Sequence, residues 1–260
     1  MGEFLEFAID LAREAGAFLR AGYGEVARGE VGYKGWRNLV TRYDVEVERM
    51  VVERIAGRYP DHGIVAEEGA LRSGTSSYRW VIDPLDGTTN YVHRHPMYCV
   101  SIGLADEAGP LAGVVYAPHL EELFSAERGA GAQFNRERPV KVSEEGDLSR
   151  GLLASGFAYK LGELKSSNLD NWSRLSRVSR GLRRCGAAAL DLAYVADGRY
   201  DGFWELNLFP WDVAAGALLV REAGGQVTDV LGGESWPDGS SILATNGLLH
   251  EQIRNLLTVD

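Results

Sequence analysis

The sequence predicts a layered α/β or α+β fold, and three observations carry that expectation. Two stretches before residue 60 repeat apolar residues every three or four positions; residues 97–142 hold four or five β-like runs, each bounded by Gly or Pro; and beyond about residue 143 short strands alternate with apolar helices. No internal repeat, low-complexity segment or linker breaks the 260 residues. One domain is therefore expected over 1–260, with an N-terminal lobe to about residue 142 and a second lobe from about residue 143 packed against it.

Phe4, Ala8, Leu11, Ala15 and Phe18 form an apolar stripe with charges between them, which predicts a helix over the first ~20 residues, ending near Gly22 or Gly24. Residues 34–41 are a polar, glycine-containing segment. A second helix starts at about Asp44, with Val47, Val51 and Ile55 on one face and Tyr59-Pro60-Asp61 as its stop. Ile64-Val65-Ala66 is too short for a buried helix and predicts a strand that delivers Glu67-Glu68-Gly69 at its end. Residues 71–78 read as a polar connection. Trp80-Val81-Ile82 predicts a second strand running into Asp83-Pro84-Leu85-Asp86, and Gly87-Thr88-Thr89-Asn90 has the composition of a turn that opens a helix.

The runs at 100–104, 112–116 and 123–126 belong to an antiparallel meander. Further on, a strand is expected at 152–154, a helix near 169–178, a small-residue helix at 187–196 and a strand at Gly202-Phe203-Trp204-Glu205. Trp211-Asp212-Val213 begins an apolar helix with Asp212 in or near its first turn and Gly224-Gly225 as its stop. A strand at 242–244 and a helix over 248–257 close the chain.

A hydrophobic content of 45% is ample for a core, while a formal charge of −10 argues against broad nucleic-acid binding or a membrane-surface role, both of which want a basic face. Two cysteines, Cys99 and Cys185, make no disulfide framework and have no metal-ligand spacing around them. No apolar run approaches the ~18 residues of a membrane span, and Glu3, Glu6 and Asp10 would spoil a secretory core. A soluble, cytoplasmic, unprocessed protein is expected.

Four segments end an apolar run with a carboxylate or start a helix with one: Glu67-Glu68, Asp83 with Asp86, Glu205, and Asp212. Singly, each is accounted for as a cap, a turn residue or a solvated charge. Gathered at one pole they would repel and raise one another's pKa unless a multivalent cation neutralised them, so convergence implies bound metal. Asp83 and Asp86 are hard oxygen ligands suited to Mg²⁺, and the N–H groups of Gly87, Thr88 and Thr89, unpaired at a helix start, suit a phosphate. The two-residue gap between the aspartates does not match the Asp-x-Asp-Gly-Thr fingerprint of a phosphoaspartyl nucleophile, and the alternating ligands of an EF-hand are missing. As ligands for two-ion catalysis the pair makes chemical sense.

Asp83-Pro84-Leu85-Asp86-Gly87-Thr88-Thr89-Asn90 and Trp211-Asp212-Val213-Ala214-Ala215-Gly216 resemble the two signature motifs of the inositol monophosphatase family. The likeness continues, in order, through Asn38-Leu39-Val40-Thr41 with Asp44, Glu67-Glu68-Gly69, Gly186-Ala187-Ala188-Ala189-Leu190-Asp191-Leu192 and Ala223-Gly224-Gly225. It implies an α-β-α-β-α sandwich of the inositol monophosphatase and sugar phosphatase type. It also implies a Mg²⁺-dependent, usually Li⁺-sensitive phosphoric monoester hydrolase using two to three Mg²⁺ ions. By this resemblance Glu67, Asp83 and the carbonyl of Leu85 would hold the first Mg²⁺, and Asp83, Asp86 and Asp212 the second, with a weaker third ion near Glu67. Thr88, hydrogen-bonded to Asp44, would help the first metal, held by Glu67, activate a water for in-line attack, without a covalent enzyme intermediate, making Asp44, Thr88 and Glu67 the catalytic residues that the resemblance implies. Asp44 read alone would only cap its helix. Gly87 and Thr88 would bind the phosphate, and Glu205 with Gly186, Ala187 and Ala188 the substrate hydroxyls, within reach also of Asp86 and Asp212.

The implied substrate is a small phosphorylated polyol or sugar: myo-inositol 1-phosphate first, fructose 1,6-bisphosphate as close rival, then histidinol phosphate or adenosine 3′,5′-bisphosphate. Specificity would lie in the loops around residues 155–205. The resemblance also implies a homodimer. A different class of role, as a partner in RNA or transcription complexes, is motivated by Arg174, Arg177, Arg180, Arg183 and Arg184 and opposed by the overall acidity. His93 and His95 are expected to be structural, since carboxylate-rich Mg²⁺ sites do not need imidazole. Asn38 and Ala187 depart from residues common in the family, at positions that bear on inositol selectivity rather than on metal ligation.

Overall fold

The computed structural model describes residues 2–26, 29, 31–35, 38–158, 168–238 and 240–259. Trp36 and Arg37 of the polar segment, and residues 159–167 of the expected specificity loops, lie outside the described residues.

The chain opens with α1 (Glu3–Ala21), whose Leu5, Ile9, Leu11 and Leu19 are buried. Each such side chain removed from water stabilises by about 1.5–3 kcal/mol. A two-strand hairpin, β1 (Gly32–Tyr33) and β2 (Leu39–Val40), leads into α2 (Arg42–Arg58). Thr41 caps α2 by accepting the N–H of Tyr43 at 3.1 Å, a contact worth about 1 kcal/mol. Then follow β3 (Gly63–Ala66), β4 (Leu71–Arg72), β5 (Arg79–Asp86) and the five-residue α3 (Thr88–Val92). The meander comprises β6 (Cys99–Asp106), β7 (Gly109–Ala117), β8 (Glu122–Glu127), β9 (Gly131–Phe134) and β10 (Arg138–Pro139), each antiparallel to the next. The rest is β11 (Leu152–Ser155), α4 (Leu169–Ser176), β12 (Gly181–Arg183), α5 (Ala188–Ala196), β13 (Gly202–Leu206), α6 (Pro210–Glu222), β14 (Gln226–Thr228), β15 (Ser241–Thr245) and α7 (His250–Arg254).

Two sheets result. The eight-stranded one runs β10, β9, β8, β7, β6, β5, β3, β4 and the five-stranded one β12, β11, β13, β15, β14. Side-chain alternation sorts their faces. Trp80, Ile82, Val100, Ile102 and Val114 point under α1 and α2, while Cys99, Val115, Phe124, Phe203, Ile242 and Ala244 meet α5 and α6 between the sheets. Leu153, Trp204, Leu206 and Leu243 face outward beneath Leu175 of α4 and Ile253 of α7. The order is thus helix, sheet, helix, sheet, helix.

The central layer is thin because its residues are small. A Cβ on Gly113 of β7 would stand 2.9 Å from Cα of Ala215, and one on Gly216 would stand 2.6 Å from Cβ of Leu192. Helix α6 is therefore clamped directly onto the first sheet and onto α5.

Three expectations are corrected. Residues 71–78 are not wholly a connection, since Leu71 and Arg72 pair with Val65 and Ile64 as β4. The helix expected at 248–257 is a single regular stretch, His250–Arg254, and that expected at 169–178 stops at Ser176. Strands β12 and β14 carry only three residues each and are held by ladders to β11 and β15 rather than by any pattern of their own.

Candidate active site

Asp44 is the third residue of α2 and has two sets of partners. Its Oδ2 accepts the N–H of Thr41 at 2.8 Å and the Thr41 hydroxyl at 2.6 Å, closing the helix cap. Its Oδ1 accepts the Thr88 hydroxyl at 2.8 Å, with the Leu85 carbonyl oxygen a second acceptor for that hydroxyl at 3.1 Å. Asp44 is thus both the cap and the partner of Thr88. Burial raises its pKa, opposed by the bonds from Thr41 and Thr88.

Strands β3 and β5 are parallel neighbours, Ala66 opposite Ile82, so Glu67, the first residue beyond β3, comes out beside Asp83 of β5. In a regular strand residues three apart face opposite ways, yet Asp83 and Asp86 belong to one face. The cause is a bulge: Asp83 pairs with Ser101 and Asp86 with Cys99, three steps on β5 against two on β6. Pro84, lacking an N–H, sits in that irregular stretch, and Ile82 and Leu85 both point into the core under α1 and α2.

The Asp83 carboxylate accepts the N–H of Leu85 at 3.0 Å, and Asp86 accepts the N–H of Ala189 at 2.7 Å and the Cys99 thiol at 3.6 Å. Gly87 turns the chain with φ of 94° and starts α3, whose first N–H groups have no intrahelical partner.

The second sheet and central helices supply the opposite wall. Glu205, on β13, points between the sheets like Phe203, and it receives no hydrogen bond from any described residue. Asp212 is the third residue of α6 and accepts the N–H of Phe209 at 2.7 Å. Gly186, with φ of 85°, bends the chain so that Ala188 and Ala189 open α5 toward Asp86. Asn90 ties this turn to the start of α3, its amide donating to the carbonyls of Cys185 at 2.8 Å and Met97 at 2.6 Å.

The acids raise one another. Asp83 stands well above the carboxylate range through burial first, then Glu67, Asp86 and Asp212. Asp212 is raised likewise by burial, against the Phe209 N–H, with Asp86, Glu67 and Glu205 adding. Burial pushes Asp86 up to about 6 against the Ala189 N–H, and Glu205 up to about 8 against the charge of Arg184. Lys34, from the β1–β2 hairpin, reaches Glu67 at 3.1 Å and Glu68 at 2.5 Å. Burial opposes the Lys34 charge, but the two glutamates outweigh it and hold the ammonium up. Glu68 is pushed up to about 7 by burial, against Lys34.

No three His, Cys, Asp or Glu side chains among the described residues stand close enough to enclose an ion unaided. The donor chemistry nonetheless fits a hard divalent cation that keeps several waters, because buried carboxylates that raise one another's pKa are what such a charge relieves. The Leu85 carbonyl, in the bulge, is a further oxygen donor.

Every residue named from the sequence for metal, phosphate or substrate is described, and Asp83, Asp86, Asp212, Glu67 and Glu205 act on one another electrostatically. His93 and His95 are exposed beyond α3. Missed were Lys34, Asn90, Cys99 and Glu48, the last accepting the N–H groups of Glu68 at 2.6 Å and Ala70 at 3.0 Å. One signal did exist for Glu48: it lies on the stripe of Asp44, Val47, Val51 and Ile55, so a helical wheel places this acid on the buried face.

The chain as a whole is similar to known proteins. The sequence profile of the inositol monophosphatase family matches residues 1–258. The inositol-1-monophosphatase of Synechocystis is 43% identical over 98% of this chain and 88% of its own length. The Nus factor SuhB of Escherichia coli is 42% identical over 95% of this chain and 92% of its own. The crystal structure of the extragenic suppressor protein suhB from Bartonella henselae superposes with a TM-score of 0.93 at 39% identity, covering 98% of both chains.

Proposed function

The chain belongs to the inositol monophosphatase family, and from that premise we propose that it hydrolyses the phosphate monoester of a small polyol or sugar with Mg²⁺. The preferred substrate in this proposal is myo-inositol 1-phosphate, the substrate class named by the Synechocystis relative, with fructose 1,6-bisphosphate next. The observation that supports it most is the bulge in β5, which turns Asp83 and Asp86 to one face beside the Thr88 hydroxyl.

Asp83, Asp86, Asp212, Glu67 and the Leu85 carbonyl are the groups that would hold two to three Mg²⁺ ions. Bound there, the ions supply Lewis acidity to the attacking water and to the leaving oxygen. Thr88 directs its hydroxyl proton at Asp44, which leaves an oxygen lone pair free to accept a hydrogen bond from that water; as the water's proton moves to the Thr88 oxygen, the Thr88 proton passes to the Asp44 carboxylate. The N–H groups of Gly87 and Thr88, at the start of α3, bind the phosphate oxygens. Glu205 and the backbone of Gly186, Ala187 and Ala188 orient the hydroxyls of the leaving alcohol. The proposed assembly is a homodimer.

A phosphate-release panel over myo-inositol 1-phosphate, fructose 1,6-bisphosphate, histidinol phosphate and adenosine 3′,5′-bisphosphate, with Mg²⁺ and with or without Li⁺, tests this. Release from none of them overturns it.

A second role is motivated by the Escherichia coli relative's designation as a Nus factor and by one surface of this chain. Arg177, Arg180, Arg183 and Arg184 make no ion pair among the described residues, whereas Arg174 is tied to Leu256 and Thr258. A partner in RNA or transcription complexes would use that surface. Capture of RNA polymerase components that persists with Asp86→Asn supports this role, and no complex at low salt removes it.

A further inference from the structure

Helix α2 presents two buried acids one turn apart, Asp44 and Glu48, and only the first has been given a task above. Glu48 is 6% exposed and forms no ion pair among the described residues; both of its oxygens accept backbone N–H groups. Oε2 accepts the N–H of Glu68 at 2.6 Å and Oε1 that of Ala70 at 3.0 Å. The other two N–H groups of the same turn are satisfied locally, Glu67 by the carbonyl of Ile82 at 3.2 Å and Gly69 by that of Ala66 at 3.4 Å. The turn that carries Glu67 is thus closed by the neighbouring strand, by its own main-chain bond from the Ala66 N–H to the Ala70 carbonyl at 3.0 Å, and by the one carboxylate of Glu48, which alone takes the N–H groups of Glu68 and Ala70.

Charge-assisted bonds of this kind are about twice as strong as neutral ones, and a bidentate arrangement fixes orientation as well. Burying an acid to hold two amides costs desolvation that a surface turn would not need. Gly69 supplies the φ of 112° that the turn requires, and Lys34 pulls on Glu67 and Glu68 from outside.

We propose that Glu48 is a positioning residue whose carboxylate fixes the turn at 67–70 and so sets the reach of Glu67 toward the divalent cation. This rests on Glu67 being a metal donor. Asp44 and Glu48 then make α2 a bracket: one acid aligns Thr88 at the end of β5, the other aligns Glu67 at the end of β3.

The test compares wild type, Glu48→Gln and an exposed control on the same helix, Arg49→Ala. Amide exchange at Glu68 and Ala70 is measured on metal-free protein, Mg²⁺ affinity by calorimetry, and phosphate release against Mg²⁺ concentration. In Glu48→Gln one oxygen is replaced by an NH₂ that confronts an N–H, so exchange at one or both amides rises about tenfold or more. Mg²⁺ binding weakens about tenfold, while kcat at saturating Mg²⁺ stays within about twofold and Arg49→Ala matches wild type. Unchanged exchange overturns the proposal, and so does faster exchange with unchanged Mg²⁺ affinity. If Glu48→Gln does not fold, Glu48→Asp is used, whose shorter carboxylate reaches one amide; wild-type exchange at both amides then overturns it. A wild-type protein that binds Mg²⁺ but releases no phosphate removes the phosphatase function and leaves this test intact.

Discussion

Thr88 and Asp44, 44 residues apart in the chain, meet through one buried hydrogen bond of 2.8 Å from the threonine hydroxyl to the aspartate. If that bond aims the threonine oxygen at a water, Thr88→Ala lowers kcat by roughly 10²–10⁴-fold with little change in KM, and Thr88→Ser recovers much of it. Steady-state kinetics at saturating Mg²⁺ checks this. A change confined to KM would show that Thr88 only binds.

Asp83 is raised by burial first and then by three other acids, which predicts a trade between stability and metal binding. Asp83→Asn removes a buried like charge, so the metal-free variant melts at or above the wild-type temperature, yet loses most of the rise in Tm that Mg²⁺ gives wild type and at least ~10²-fold in activity. Calorimetric scans with EDTA and with Mg²⁺ measure both. A Mg²⁺-induced rise equal to that of wild type would remove Asp83 from the ligand set.

The same electrostatics predicts a pH dependence. Asp86 is raised from 3.8 to about 6 and Glu205 from 4.5 to about 8 by folding. Between those limits the native state holds more protons than the unfolded chain, so metal-free stability is highest at the acid end and falls as pH rises, for Asp86 until about 6 and for Glu205 until about 8. Melting temperatures at intervals from about pH 5 to 8.5 should decline in EDTA and flatten with excess Mg²⁺. A metal-free Tm that climbs over this range contradicts the proposed repulsion.

Gly87→Ala should be costly for two independent reasons. The backbone is left-handed at φ of 94°, and a Cβ would stand 2.9 Å from the Met97 carbonyl oxygen. About 1–3 kcal/mol is expected, or several degrees in Tm, together with a raised KM as the N–H groups proposed to bind phosphate move. Urea unfolding and kinetics report the two effects, and an unchanged midpoint would show that the turn relaxes freely.

The long elements were legible because their periods are unmistakable: the α1 stripe, Val47-Val51-Ile55 on α2, and the meander after residue 97. Strands β4, β12 and β14 were not, since two or three residues have no period and exist only because a neighbour pairs with them. The acids of the site were visible as strand and helix ends. Their common facing was not, because spacing alone puts Asp83 and Asp86 on opposite sides of a strand and only the bulge around Pro84 reverses that. Glu48 shows the converse: its place on the apolar stripe was readable, but its amide partners 20 and 22 residues away were not.

Helix α6 lies so close against β7 that a Cβ on Gly113 would stand 2.9 Å from Cα and 3.0 Å from the carbonyl oxygen of Ala215, and Asp212 rides on the first turn of that helix. The glycine therefore works as a feeler gauge. A single methyl there, like a washer slipped under one end of a beam, is expected to push α6 off the sheet and so shift Asp212 relative to the acids of β5. The dimension that the site depends on is machined into the core, where a substitution that leaves every acid in place can still detune it.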